Sequence, residues 1–234
     1  MPIKKTFRRK RRPVARKRVD KAQNARIKSL EKFVYKTIEN KQVNYDNAGG
    51  TNITNAGYVG SQFLQLNTGA QDGVDLGDAA RIGDSITLLS QKVHCYMEQS
   101  STDTYNRVRM LIVESMDGNE ALALSDILMY SNWTTHGHLV FSSPYTTKTQ
   151  TNKRYKIHAD KTFELNNAAN GATRVIKQTI KYRQNGSPGK VVEYDGPLSV
   201  NANNHRLSIM WISDSTSVNH PIAYYSVRST FKDA

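Results

Sequence analysis

Read for its hydrophobic pattern, the chain changes period along its length. Over residues 21–41, Ile27, Leu30, Val34 and Ile38 recur at spacings of three and four, with Lys21, Arg26, Lys28, Lys32 and Lys36 between them. Side chains three and four apart share a helix face, so this spacing predicts a basic amphipathic helix. Its narrow apolar stripe suits a weak protein contact and leaves the basic side for a polyanion. Beyond Tyr58 the period falls to two. Segments 85–97 and 106–114 alternate or run apolar and are rich in β-branched residues, which predicts strands. Further strands are predicted near 59–66, 138–142, 153–164, 173–183, 205–213 and 221–231, giving eight. Only 121–129 reads helical within this part, as one short insertion. Residues 47–52 read as a loop by composition. Hairpin turns are signalled at Asp117-Gly118-Asn119, Asn170-Gly171, Asn185-Gly186-Ser187-Pro188-Gly189 and Asp195-Gly196-Pro197.

Eight antiparallel strands in a chain of 234 residues can close as a jelly roll, an immunoglobulin-like sandwich or an up-and-down barrel. The long, unequal connections favour crossed Greek-key links over a meander. Apolar residues make up 38% of the chain, enough for one sizeable core, and the Asn/Ser/Thr-rich remainder supplies exposed turns. The expected organisation is a single all-β domain over 42–234, preceded by the helix of 21–41 and a leader of residues 1–20.

Net charge adds to this picture once it is located. Residues 1–36 hold 15 Lys and Arg against Asp20 and Glu31, an excess of 13, whereas residues 37–234 hold 18 basic and 18 acidic residues. In the leader, no acid separates Lys4, Lys5, Arg8, Arg9, Lys10, Arg11, Arg12, Arg16, Lys17 and Arg18. Their repulsion, with only Ile3, Phe7, Val14 and Val19 to bury, predicts disorder in isolation and a reach of about 65 Å when extended. Arg and Lys neutralise phosphates and release counterions whatever the base sequence. The predicted nucleic-acid contacts are therefore these ten residues with Lys21, Arg26 and Lys28. Phe7 is the leader's one aromatic, so base stacking there should be minor. A mitochondrial presequence is also Arg-rich, but this block has almost no apolar face and Pro13 interrupts any helix through it. A nuclear localisation signal, read by a host import receptor, fits the same residues.

The sequence holds no GxSxG elbow, GxxxxGK loop, GxGxxG turn or HExxH helix. His136-Gly137-His138 has metal-like spacing, because alternate strand positions put both imidazoles on one face, as in cupin metal sites. A cupin needs a Glu a few residues on, and Leu139-Val140-Phe141-Ser142-Ser143 follow instead, so a loop without metal is expected. Asp72, Asp75, Asp78 and Asp84 crowd a Gly-rich stretch, where calcium at subunit contacts is the weaker expectation beside a solvated acidic loop. Gly83 stands where an EF-hand needs its bidentate Glu. No cofactor is expected. Cys95 is the only cysteine, and His94, His158, His205 and His220 are scattered. No apolar run reaches the length of a membrane span or a secretory signal, so a soluble, non-secreted protein without membrane insertion is expected.

With these residues assembled, the chain resembles the coat proteins of satellite necrosis viruses and the capsid proteins of many small circular single-stranded-DNA viruses. The likeness lies in the basic leader and helix, then Arg81-Ile82-Gly83-Asp84-Ser85-Ile86 leading into Leu88-Leu89-Ser90-Gln91-Lys92-Val93-His94. It continues through Asn106-Arg107-Val108-Arg109-Met110-Leu111-Ile112-Val113-Glu114 and the helical insertion at Leu124-Ser125-Asp126-Ile127-Leu128. The resemblance implies an eight-stranded antiparallel jelly roll of the viral capsid type, sixty copies assembling into a small icosahedral shell, and the leader inside holding a single-stranded genome. It favours DNA over RNA, which backbone neutralisation does not distinguish. It also places the protein in the virion, and in the host nucleus or cytoplasm during assembly. Trp133, Tyr130, Tyr145 and Phe141, in the long middle connections, are expected either at subunit contacts or in the core. Two other classes compete. A ribosomal or chromatin protein would carry basic residues on its folded body as well, and a jelly-roll enzyme needs a complete site.

Overall fold

The computed structural model describes residues 21–30, 33, 40–66, 80–100, 103–118, 121–147, 154–167, 172–183, 188–196, 198–216 and 220–233. The chain divides into two units, Met1–Glu39 and Asn40–Ala234. In the first, residues 21–30 form helix α1, Phe33 is also helical, and all of these residues are exposed. Lys41 begins a strand in place of ending this helix.

The second unit is a β-sandwich. Its strands are β1 (Lys41–Asn52), β2 (Tyr58–Ser61), β3 (Ser85–Glu98), β4 (Tyr105–Ser115), β5 (Tyr155–Asn166), β6 (Thr173–Lys181), β7 (Lys190–Glu193), β8 (Arg206–Ser213) and β9 (Ile222–Asp233). One sheet has the order β1-β9-β3-β6, with β7 also on β3; the other has the order β2-β8-β4-β5. All pairings are antiparallel. Strands β6 and β7 lie one after the other along a single edge of β3, β6 on Ser90 to Glu98 and β7 on Ser85 to Leu88. The segment 185–189 therefore does not close a hairpin between them.

Alternation along the strands builds the core between the sheets. Val93, Cys95 and Met97 of β3 and Tyr225 and Val227 of β9 face Val108, Met110 and Ile112 of β4 and Ile209 and Trp211 of β8. Trp211 is fully buried, with its ring 4.9 Å from that of Tyr225. Strands β4 and β8 are buried on their other face too. There Leu111, Val113, Met210 and Ile212 meet Leu122, Leu124, Ile127, Leu128 and Val140 of the insertion between β4 and β5. Double burial explains why β4 reads as a continuous apolar run, and each such side chain contributes roughly 1.5–3 kcal/mol.

The insertion carries two single-turn helices, α2 (Leu124–Ile127) and α3 (Trp133–His136). Asp126 accepts a hydrogen bond from the Ala123 N–H, and Asn132 caps α3 by accepting from the Thr135 N–H. A bridge between Leu128 and Tyr145 closes the excursion.

Several expectations need correction. Residues 47–52 are strand, the end of β1, and their Gly-rich composition accommodates a register shift between Asn47 and Thr51. Segment 138–142 is a 3-10 turn over Gly137–Val140, not a strand. Short β7 escaped the pattern. Gly118 is needed for close backbone approach: a Cβ there would lie 1.7 Å from the Ala202 carbonyl oxygen. Asn119, the last residue of the turn expected there, lies outside the described residues. Asn170 and Gly171 lie outside the described residues.

Candidate nucleic-acid interface and buried polar clusters

Of the predicted phosphate contacts, Lys21, Arg26 and Lys28 sit exposed on α1. At 100° per residue, Lys21 and Lys28 share one face of that helix while Ile27 and Leu30 share another. Lys4, Lys5, Arg8, Arg9, Lys10, Arg11, Arg12, Arg16, Lys17 and Arg18 lie outside the described residues.

Three buried polar clusters organise the sandwich. Arg81 is completely buried, and its guanidinium donates to the carbonyl oxygens of Leu66 (3.4 Å), Gly83, Gly196 (2.7 Å) and Ser199 (2.8 Å) and to the Asp84 carboxylate (3.3 Å). It also stacks over Tyr194 at 4.3 Å. The Arg-Ile-Gly-Asp segment is thus a clamp: one planar donor satisfies carbonyls from three loops at one end of the sandwich.

Arg109 on β4 makes a bidentate pair with Asp160 on β5 (2.9 and 2.6 Å) and donates to the carbonyls of Val140 (2.6 Å) and Ser143 (3.2 Å). The Tyr145 hydroxyl donates to the same carboxylate at 2.7 Å. Burial alone would raise the Asp160 pKa, but the bonds from Arg109 and Tyr145 outweigh it and hold the carboxyl below its usual range. The cluster bolts the insertion onto the sheet. Tyr145 belongs to this bolt, while Trp133 and Phe141 pack on each other at 5.6 Å and Tyr130 lies against His136 at 5.0 Å.

The third cluster joins residues that sequence separation had hidden. Glu114, 1% exposed, accepts from Lys190 Nζ at 2.6 Å and His158 Nε2 at 2.7 Å, with His205 Nδ1 3.3 Å away. His205 Nε2 donates to Gln91 Oε1 (3.0 Å), which also accepts from the Tyr182 hydroxyl (2.9 Å). With Nε2 carrying the hydrogen, Nδ1 is free to accept from Lys190 at 3.2 Å, so the network assigns a neutral imidazole. Burial and the adjacent Lys190 lower the His205 pKa in agreement with this. Burial pushes the Glu114 pKa up, but the bonds from His158 and Lys190 pull it well below the carboxylate range.

Glu114 and His205 of this cluster are buried. The cavity beside His205 has about 20 Å³, room for one water. The Cys95 thiol is pushed up to about 12, chiefly by burial, and is no nucleophile. His136 and His138 lie on helical turns, which removes the strand premise of a paired metal site. No group of three or more His, Cys, Asp or Glu side chains arranged to hold a metal ion occurs among the described residues, and Asp72, Asp75 and Asp78 fall outside them.

No family model matches the chain. It is 26% identical over 193 residues to the capsid protein of Satellite tobacco necrosis virus 1, an alignment that covers 82% of this chain and 85% of that protein. Among solved structures, a chain of the T13 IBDV viral particle is 9% identical with a TM-score of 0.19. That match covers 83% of this chain and 39% of the other, a likeness too low to bear on the fold.

Proposed function

We propose that this chain is a structural capsid protein, without enzymatic activity, whose sandwich builds a sixty-copy icosahedral shell and whose leader packages a single-stranded genome, DNA in preference to RNA. The observation that carries the reading is the strand order. Counting β6 and β7 as one interrupted strand gives eight, arranged β1-β9-β3-β6/β7 over β2-β8-β4-β5, the order that two nested Greek keys generate in a viral jelly roll. The identity to a capsid protein over most of both chains supports it. Exposed Ile82 (79%), Leu198 (77%), Met129 (62%) and Leu139 (53%) supply apolar surface for the closed heterologous contacts of a shell.

In this reading residues 1–20 are the cargo arm, residues 21–41 a basic segment that is helical at its start, and the remainder the shell domain. Lys4, Lys5, Arg8, Arg9, Lys10, Arg11, Arg12, Arg16, Lys17 and Arg18, with Lys21, Arg26 and Lys28, neutralise phosphates. Sixty copies of residues 1–36 carry a net excess of about 780 positive charges. The same block serves as a nuclear import signal before assembly.

Negative-stain microscopy of the purified protein tests the shell. Uniform particles roughly 20 nm across are expected, and monomers alone across a broad range of salt and pH would refute it. Full engagement of ten leader cations by a single strand predicts a log–log salt slope of about −7. Removal of residues 1–20 should abolish that steep salt slope and most of the affinity.

A further inference from the structure

The two sheets differ in what covers their outer faces. The insertion buries that of β2-β8-β4-β5, whereas on the five-stranded sheet Lys92, His94, Tyr96, Val175, Lys177 and Arg228 are exposed. The register arranges these outward side chains in cross-strand rows. Thr179, Lys92, Arg228 and Asn44 form one; Lys177, His94, Ser226 and Asp46 form the next; Val175, Tyr96 and Tyr224 form a third. Rows are roughly 6.7 Å apart and strands roughly 4.8 Å apart.

Lys92 stands directly opposite Arg228, and Lys177 directly opposite His94. The like charges of Lys92 and Arg228 in that position oppose sheet formation, an arrangement that a bound polyanion relieves. Arg228 Nε donates to the carboxamide of Asn44 at 2.8 Å, not to an acid. Asp46 ends the second row, and Glu98, one row beyond the tyrosines, accepts from the Tyr224 hydroxyl at 2.9 Å; Glu193 and Asp233 lie opposite the start of β3, Asp233 paired with Lys41. Tyr96 and Tyr224 are cross-strand partners with ring centroids 6.1 Å apart. They border a shallow depression of about 480 Å³, within the range of small-ligand sites.

From this juxtaposition we propose that the outer face of the five-stranded sheet is a second contact surface for single-stranded nucleic acid, Tyr96 and Tyr224 stacking unpaired bases while Lys92, Arg228 and Lys177 hold the flanking phosphates. The proposal rests on the packaging role argued above and adds what the leader lacks, an aromatic platform. Bases and phosphates alternate along a single strand, and here the aromatic row lies directly beside two rows that carry Lys177, Lys92 and Arg228.

The test uses the full chain, with thymidine and uridine homopolymers and an abasic chain of equal length as probes. Arm contacts ignore bases, so preference for the base-bearing polymers reads this face alone. The unaltered protein is expected to bind both homopolymers more tightly than the abasic chain. Tyr96→Ala with Tyr224→Ala should weaken homopolymer binding about 5- to 100-fold, leaving abasic binding and melting unchanged. Tyr96→Phe with Tyr224→Phe should retain the preference, and ultraviolet cross-linking of the unaltered chain should mark Tyr96 or Tyr224. Equal affinity of the unaltered chain for all probes, or full preference in the alanine variant, would overturn the proposal. So would loss of self-association in that variant with its nucleic-acid affinity intact, which would assign the face to a second copy. Abasic affinity and salt slope left unchanged by removal of residues 1–20 would instead sink the packaging role of the leader.

Discussion

Replacing Glu114 by Gln keeps shape and removes charge, so it isolates what the buried carboxylate does. Lys190 would keep its ammonium 2.6 Å from a neutral amide, with its side chain 20% exposed, and His158 would lose its acceptor at 2.7 Å. Breaking a buried ion pair by removing one partner costs about 3–5 kcal/mol. Because Lys190 can turn partly to water, the lower end applies, about 3 kcal/mol. For a body spanning residues 40–234 this is a fall in Tm of roughly 6–12 °C. Guanidinium unfolding at pH 7.5, followed by tryptophan fluorescence from the buried Trp211, measures it. Glu114→Gln combined with Lys190→Met should recover at least about 1 kcal/mol, since an uncharged pair leaves no charge uncompensated. A single variant within about 1 kcal/mol of the parent would refute the reasoning, because the carboxylate would then be held by water and not by the cluster.

The same cluster makes the subunit sensitive to acid. His205 has a folded pKa below its ordinary 6.5, so its contribution is complete above that pH and falls as pH drops below it; Glu114 and Asp160, also lowered, lose theirs below about 4.5 and 3.8. Melting temperature should decline in two stages on acidification, and His205→Gln should remove the first; an unchanged profile in that variant contradicts the assignment. Gly118→Ala should cost about 2–3 kcal/mol in guanidinium unfolding, because its Cβ meets the Ala202 carbonyl oxygen and backbone must move. Arg109→Leu should leave the Asp160 carboxylate buried without its guanidinium and free the carbonyls of Val140 and Ser143. Limited proteolysis should then cut within 121–147 well before the sandwich unfolds, and an unchanged digestion pattern would count against the bolt.

Sequence alone determined whatever depends on neighbours along the chain. Alternation marked β3 and β9, a continuous apolar run marked doubly buried β4, and the confinement of all net charge to residues 1–36 separated a cationic leader from a neutral body. Tertiary structure alone decided what depends on distant partners. Strand β1 has exposed polar residues at alternate positions and a glycine-bearing bulge, so only its hydrogen bonds to β9 reveal it as strand. Leu139, Val140 and Phe141 looked like strand, yet they sit on a turn that packs against the back of β4. His158 and His205 read as scattered because they stand 44 and 91 positions from Glu114, and no local period reports contacts at that range. The cationic and aromatic rows were hidden for the same reason: Lys92 and Arg228, or Tyr96 and Tyr224, become neighbours only through the register of β3 on β9. Periodicity tells each strand which face to bury, whereas hydrogen-bond register decides which side chains meet across strands.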